Sequence, residues 1–198
     1  MSVSLEPTPP PRSPVPASGS APSPLGVGVV VWLASELMFF AGLFAAYFTL
    51  RGVNERWPPP DVELATARTA VATVVLVASS GAMHVAVNAA KRGDRRRASR
   101  WLGVTALMGL VFLSNQAWEY ADAPFKIDSH AYGSAFYLMT GFHGLHVVGG
   151  LAFMGAVVAA IAGRSRAPAT ETVEVCAYYW HFVDVVWVAM FLTIYVVR

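Results

Sequence analysis

Residues 180–187 read WHFVDVVW and place His181 and Asp184 in the middle of an apolar run long enough to cross a bilayer. An aspartate at the centre of a membrane helix costs roughly 2.5–3.5 kcal/mol on insertion scales. A chain that keeps such a residue must therefore shelter it or use it. This stretch predicts a membrane-spanning helix that carries a polar group at mid-depth.

Two other apolar segments carry ionisable residues in the same way. Glu36 lies within SELMFF, and His143 and His146 lie within FHGLHV. At a rise of about 1.5 Å per residue, Glu36, His143 and Asp184 are all expected near the membrane midplane. His143 and His146 are three residues apart and are expected to project from one helix face, as are His181 and Asp184. The sequence thus predicts a polar level inside an apolar bundle.

The composition independently indicates an integral membrane protein. Of the 198 residues, 56% are hydrophobic and 13% are charged, and the mean hydropathy is +0.51. A soluble domain of this length needs more charged surface to cover its core. Cys176 is the only cysteine, which excludes an internal disulfide and any multi-cysteine metal site built by this chain.

Five continuous apolar runs predict an all-α bundle of five transmembrane helices. Each run approaches or exceeds the approximately 20 residues that span the hydrocarbon core, and continuous runs favour helices over the alternating strands of a barrel. Residues 1–24 are rich in proline and serine and predict a disordered cytoplasmic tail ahead of a transmembrane domain at residues 25–198. The runs fall at about residues 25–50, 66–90, 100–120, 132–162 and 172–197.

The positive charges of the loops predict the orientation of the bundle. Lys and Arg accumulate on the cytoplasmic side of short loops, and the loop between the second and third helices is the most basic. The N-terminus is therefore expected in the cytoplasm and the C-terminus outside. The arginines of this loop either follow the topology rule alone or also contact anionic lipid headgroups. The candidates for such headgroup contacts are Arg92, Arg95, Arg96 and Arg97.

The intramembrane residues admit more than one interpretation. An ionised carboxylate is disfavoured in lipid unless a cation pairs with it, so Glu36 is expected to hold a proton or to bond one of the histidines. His143 and His146 favour interhelical hydrogen bonds over a metal or heme, because a third ligand is missing. His181 and Asp184 predict a helix–helix polar clamp, with a proton relay as the alternative.

Small residues in the fourth helix suggest close packing. Glycines in membrane helices commonly let neighbouring backbones approach each other. This interpretation is applied to Gly141, Gly144, Gly149 and Gly150.

Several motifs, taken in order, resemble subunit III of the heme-copper oxidases, most closely the cytochrome c oxidase form. The resemblance covers nearly all of residues 30–198, and the motifs are long enough to be specific. They are SELMFFAG at 35–42, WPP at 57–59, GDR at 93–95, EY at 119–120, YGS at 132–134, TGFHGLHV at 140–147 and YWHFVDVVW at 179–187.

The resemblance implies a subunit of the bacterial plasma membrane that binds no heme, copper or other metal and has no catalytic residue of its own. In this family subunit I reduces oxygen and pumps protons, subunit II accepts electrons from cytochrome c, and subunit III packs against subunit I. Subunit III is thought to support proton uptake, to stabilise the active site and to bind phospholipid. Glu36 aligns with the family's intramembrane carboxylate, which is associated with carbodiimide reactivity.

The resemblance is to the short, five-helix form, which lacks the first two of seven spans. Lipid binding in the cleft of the long form therefore does not transfer directly, and another subunit is a candidate to fill that space. The resemblance is compatible with a larger respiratory supercomplex and gives no reason to expect nucleic acid as a partner.

Three alternative functions follow from the same residues. A quinol oxidase subunit III shares the motifs of the last two helices and differs in the electron donor of its complex. An independent proton transporter would run on Glu36, His143, His181 and Asp184 and would transport protons when purified alone. A bis-histidine heme protein would show a Soret band.

Overall fold

The structure is a computed structural model that describes residues 24–163 and 169–197. Every regular element in these residues is helical, so the all-α prediction is confirmed. The predicted tail at residues 1–24 lies outside the described residues, apart from Pro24 at the start of the first helix. The elements are α1 (Pro24–Val53), α2 (Thr66–Lys91), α3 (Arg95–Asp122), α4 (Ala131–Ala162) and α5 (Ala169–Phe191), with a π-helical extension of α5 over Leu192–Val197.

Four of the five helices are long and apolar enough to span a membrane. They are Leu25–Val53, Thr66–Lys91, Ala131–Ala162 and Thr170–Val197. Helix α3 has 28 residues, which is sufficient length, but it is more polar than the others. It begins with three arginines at 95–97 and ends with Glu119 and Asp122. The prediction of five spans is thus confirmed for four helices.

Helices α2 and α3 form an antiparallel hairpin around a tight turn. Gly93 adopts a φ of 76°, a left-handed conformation that glycine adopts without a side-chain clash. The Asp94 carboxylate accepts a hydrogen bond from the Arg97 backbone N–H at 2.9 Å and so caps α3. The GDR sequence at 93–95 therefore has a local structural role.

Helix α5 packs against α2, α4 and α1, and two of its tryptophans anchor it to α2. Trp180 and Trp187 are fully buried. The Trp180 indole N–H donates to Ser79 Oγ at 2.8 Å, and the Trp187 indole N–H donates to Thr73 Oγ1 at 2.9 Å. The remaining faces of α5 pack against α4 and α1, whereas α1 itself is mostly exposed.

The glycine prediction needs correction, because side chains rather than helix backbones approach these positions. An added Cβ at Gly150 would lie 2.8 Å from the Trp180 ring, and one at Gly149 would lie 3.0 Å from the Tyr179 hydroxyl. Gly141 and Gly144 likewise face side chains, at ordinary contact distance. Gly149 and Gly150 therefore make room for aromatic side chains of α5, whereas Gly141 and Gly144 face side chains of α3.

Candidate functional site

Glu36 on α1 pairs with His146 on α4. The Glu36 Oε2 atom lies 3.1 Å from His146 Nε2, and the Trp32 indole N–H donates to Glu36 Oε1 at 3.0 Å. Both carboxylate oxygens therefore have a partner. The prediction that Glu36 is hydrogen-bonded to a histidine is confirmed, and the histidine is His146.

Aromatic side chains hold this pair in place. Trp32 lies one helical turn before Glu36 and stacks on Tyr179 of α5, with ring centroids 5.3 Å apart. The Tyr179 hydroxyl donates to the backbone carbonyl of His146 at 2.9 Å. The contacts of Tyr179 thus tie α1 and α4 to α5 beside the pair.

The tautomer of His146 follows from its neighbours. Its Nδ1 atom lies 2.7 Å from the carbonyl oxygen of Phe142, which is only an acceptor, so Nδ1 carries a proton. Neutral Nε2 then accepts a hydrogen bond from a protonated Glu36 carboxyl group, whereas protonated Nε2 donates one to the Glu36 carboxylate. The two side chains are therefore arranged to share one proton.

The pair lies between α1 and α4 and is partly exposed at the surface of the chain. The Glu36 side chain is 24% exposed and that of His146 is 16% exposed. The pair is therefore only partly enclosed by the described part of the chain.

His143 does not join His146, so the prediction that both project from one face is wrong. Its ring is buried in the core, 4.9 Å from that of Trp187 and 5.9 Å from that of Phe112. Neither ring nitrogen has a hydrogen-bond partner within the described part of the chain. Residues three apart differ by roughly 60° around a helix, which is enough to turn one inward and the other towards α1. The predicted interhelical hydrogen bond is confirmed for His146 and wrong for His143.

A second polar cluster joins α2 to α5. The Ser80 hydroxyl donates to Asp184 Oδ2 in a short hydrogen bond and lies 2.8 Å from His181 Nδ1. A hydroxyl has one proton, so with that proton on Asp184 the oxygen of Ser80 accepts from the His181 N–H. The predicted clamp between helices is confirmed. Ser80 is the partner that the sequence did not identify, because serines are common in membrane helices.

The ionisable residues thus form two separate clusters, and their predicted common depth in the membrane stays a prediction. Glu36 and His146 lie between α1 and α4, and His181 and Asp184 bond α2 through Ser80. In residues 24–163 and 169–197, no three His, Cys, Asp or Glu side chains come together to hold a metal ion.

A further carboxylate, which is buried, was not among the predicted site residues. Glu119 near the end of α3 is 2% exposed, and its Oε2 atom accepts hydrogen bonds from Thr69 and Tyr195, both at 2.9 Å. In the sequence it is a charged residue at the end of the third apolar run, which covers residues 100–120. That signal is ambiguous, because helix ends are commonly polar.

The arginines of the α2–α3 turn are all exposed, and they line two different surfaces. Arg92 and Arg97 line a cavity of about 480 Å³ together with Asp94. Arg95, Arg96 and Arg100 line another cavity, of about 410 Å³, against the apolar end of α4. The predicted headgroup contacts are thus divided, with a carboxylate on one surface only.

Comparisons with known proteins give a consistent result. Residues 20–197 match the cytochrome c oxidase subunit III family. Probable cytochrome c oxidase subunit 3 of Mycobacterium bovis is 50% identical over 184 residues, which cover 89% of this chain and 90% of the relative. That of Nocardia farcinica is 46% identical over 182 residues, with the same coverage. Cytochrome c oxidase subunit 3 of Thermostichus vulcanus is 39% identical over 176 residues, which cover 86% of each chain.

Proposed function

Because this chain belongs to the cytochrome c oxidase subunit III family, we propose that it packs against subunit I of a respiratory oxidase, stabilises it and supports its proton uptake. The chain is a multi-pass membrane protein, and the bacterial plasma membrane is its proposed location. Heme and copper belong to partner subunits in this proposal, and the chemistry of oxygen reduction takes place there.

The Glu36–His146 pair carries the proton part of this proposal. A carboxyl and an imidazole that share one proton can accept a second or release the first with small movements of either side chain. The pair is partly exposed between α1 and α4, where a neighbouring subunit can exchange protons with it. The Ser80–His181–Asp184 cluster, of which Asp184 is the buried member, instead supports a role in joining helices.

Recovery of the oxidase with this chain tests the proposal. Affinity purification of the tagged chain in mild detergent should bring down a heme-containing subunit I in about equal amount, with a visible heme spectrum. The chain stripped from its partners should show no Soret band and should transport no protons in liposomes. Recovery of the chain alone from native membranes contradicts the proposal.

The electron donor of the complex is proposed to be cytochrome c rather than quinol, because the similar proteins are named cytochrome c oxidase subunits. A copper centre in the copurified subunit II supports this choice. A subunit II without copper indicates quinol.

We infer that α3 is the fifth membrane span, because α2 and α3 pair at both of their ends. Near the start of α2, Arg68 pairs with Asp122 at 2.9 Å. At the other end, the Asp94 backbone N–H donates to the Ala89 carbonyl at 3.0 Å. Helix α3 therefore crosses the same depth as α2, and its buried polar residues, such as Glu119, are sheltered by the bundle.

Cysteine labelling tests both this span and the predicted orientation. In a Cys176→Ser background, a cysteine at Arg96, where α3 begins, should react only with reagent supplied from the cytoplasm, and one at Asp128, after the end of α3, only with reagent supplied from outside. Both positions are exposed, so accessibility does not confound the comparison. Labelling of both positions from one side contradicts the five-span arrangement.

Anionic lipid headgroups are proposed to bind the arginines of the α2–α3 turn. The surface with Arg95, Arg96 and Arg100 is favoured, because it has an apolar wall for an acyl chain. The surface with Arg92 and Arg97 includes Asp94, which repels an anion. We expect Arg96→Gln with Arg100→Gln to lower the affinity of the purified oxidase for anionic lipid about 30-fold, at roughly 1 kcal/mol per arginine. Arg92→Gln with Arg97→Gln removes the same charge and should have a smaller effect; equal losses contradict the assignment.

A further inference from the structure

Helices α2 and α5 each carry a row of polar residues that starts near the end of α2 and runs towards mid-membrane. On α2, Ser80, His84 and Asn88 lie four residues apart and therefore on one face. Lys91, the last residue of α2, pairs with Glu174 of α5 at 2.9 Å and so brings the two rows together. The row on α5 consists of Glu174, Tyr178, His181 and Asp184. We call the two rows the polar seam.

Contacts between α2 and α5 continue along the polar seam. The imidazoles of His84 and His181 are close enough to interact electrostatically. Deeper in the membrane, Ser80 bonds both His181 and Asp184. At about 1.5 Å per residue, Ser80 lies about 16 Å from Lys91, which is half of a hydrocarbon thickness of about 30 Å. The polar seam thus joins the end of α2 to a carboxyl group at mid-depth.

The polar seam opens towards one side of the membrane. Asn88 lines the cavity of about 480 Å³ at the α2–α3 turn, which faces the cytoplasm in the proposed orientation. His84 is exposed further along the seam. Beyond Asp184 the exposed surface is apolar, with Val77 on α2 and Val185 on α5. Polar side chains therefore lead from the cytoplasmic side to mid-depth, where exposed valines follow.

The buried end of the polar seam holds more ionisable chemistry than joining two helices requires. Asp184 is 5% exposed, and its Oδ2 atom accepts from Ser80. Its Oδ1 atom is buried and has no hydrogen-bond partner in residues 24–163 and 169–197. Chains of histidine and carboxyl side chains within a membrane are typical of proton relays. We propose that the polar seam carries protons between the cytoplasm and Asp184.

The hydrogen bonds of Ser80 allow this transfer without loss of a bond. A proton that reaches His181 Nε2 from the side of His84 lets the Nδ1 proton pass to Ser80 Oγ, while the Ser80 hydroxyl proton passes to Asp184 Oδ2. The Asp184 carboxylate becomes a carboxylic acid, and His181 becomes its other neutral tautomer. The reverse sequence returns the proton to the cytoplasm. Asp184 therefore stores a proton, in addition to joining the helices.

This inference rests on the proposed orientation of the chain, which the cysteine labelling tests separately. It does not depend on the role proposed for Glu36 and His146, which lie between α1 and α4. Loss of pumping in variants of that pair would therefore leave the polar seam unaffected, and failure of the polar seam would leave the pair unaffected.

Cysteine reactivity tests whether water enters the polar seam. In the assembled oxidase, with Cys176→Ser, the variants His84→Cys and Asn88→Cys should react with a membrane-impermeant thiosulfonate from the cytoplasm at least about tenfold faster than Val104→Cys, because thiols react as thiolates, which need water. Val104 is the matched control, since it is exposed on α3 at a similar distance from the α2–α3 turn. Equal rates at the three positions, or reaction only from outside, overturn the proposal.

Time-resolved infrared spectroscopy of the purified oxidase tests the transfer itself. After photorelease of protons, the carboxyl band of Asp184 should grow at least about tenfold more slowly in His84→Leu than in the wild type. Loss of the band in Asp184→Asn, or its shift in Ser80→Ala, identifies it. His130→Asn removes a histidine elsewhere and keeps a side chain that can cap α4, so it should not change the rate. A rate that is unchanged in His84→Leu overturns the proposal.

Discussion

Valine at Gly150 should sharply reduce the amount of folded chain in the membrane. A Cβ at this position would lie 2.8 and 2.9 Å from two atoms of the Trp180 ring and 3.2 Å from Tyr179. Trp180 is fully buried and fixed to Ser79 by its indole N–H, so the ring cannot withdraw. Overpacking of this kind typically costs about 1–3 kcal/mol and sometimes more. Abundance in membranes and the thermal midpoint of the purified complex measure the loss.

Gly109 offers an independent check, because it faces the same ring from α3. A Cβ there would lie 2.7 Å from Trp180, so Gly109→Val should be as damaging as Gly150→Val. Gly103 on α3 and Gly155 on α4 are matched controls with open space around an added Cβ, and valine at either should have little effect. Trp180→Leu should partly rescue Gly150→Val. Equal stability of the Gly150 and Gly155 variants contradicts the packing argument.

Glu36→Gln should leave the oxidase assembled with a normal heme spectrum. It should lower proton pumping and reduce the number of turnovers that the enzyme completes before it is inactivated. Glutamine keeps the size of the side chain and its hydrogen-bonding capacity, but it cannot take up or release a proton. Labelling by a hydrophobic carbodiimide, which requires a carboxyl group, should fall at least about tenfold, because glutamine has no carboxyl group to react.

His146→Gln distinguishes a shared proton from a lone carboxyl. If the pair works as one unit, this variant should reduce pumping about as much as Glu36→Gln although the carboxyl remains. The exposed carboxylate of Glu55 is the control, and its replacement by glutamine should change nothing. Normal pumping and turnover lifetime in both Glu36 and His146 variants would remove the functional role assigned to the pair.

The sequence predicted the helices closely because burial in lipid is written directly into it. The predicted limits of the second run, 66–90, and of the fourth, 132–162, differ from those of α2 and α4 by one residue at most. In lipid each helix satisfies its own backbone hydrogen bonds, so length and apolar composition suffice. Helix α3 is less apolar, because its arginines and Glu119 lower its hydropathy, and of these residues only Glu119 is sheltered by the neighbouring helices.

The partners of the polar residues could not be predicted in the same way. The sequence offered three intramembrane histidines as partners for Glu36, namely His143, His146 and His181. The packing of α1 on α4 selected His146. The spacing of His143 and His146 suggested a common role. The structure instead places His143 in the aromatic core and His146 beside Glu36, where it is partly exposed. Ser80 and Glu119 gave weak signals, because a serine or a carboxylate gains meaning from what lies opposite it.

By itself the sequence determined the class of the protein, the limits of its helices and which side chains require shelter. Those properties depend on the free energy of transferring a segment into lipid, which is the sum of the contributions of consecutive residues. Only the tertiary structure decided which helices meet, and with that the Glu36–His146 pair, the Ser80 clamp and the glycine walls around Trp180. The reason is geometric. A hydrogen bond or a close contact requires two residues far apart in sequence to be positioned to within a few tenths of an ångström.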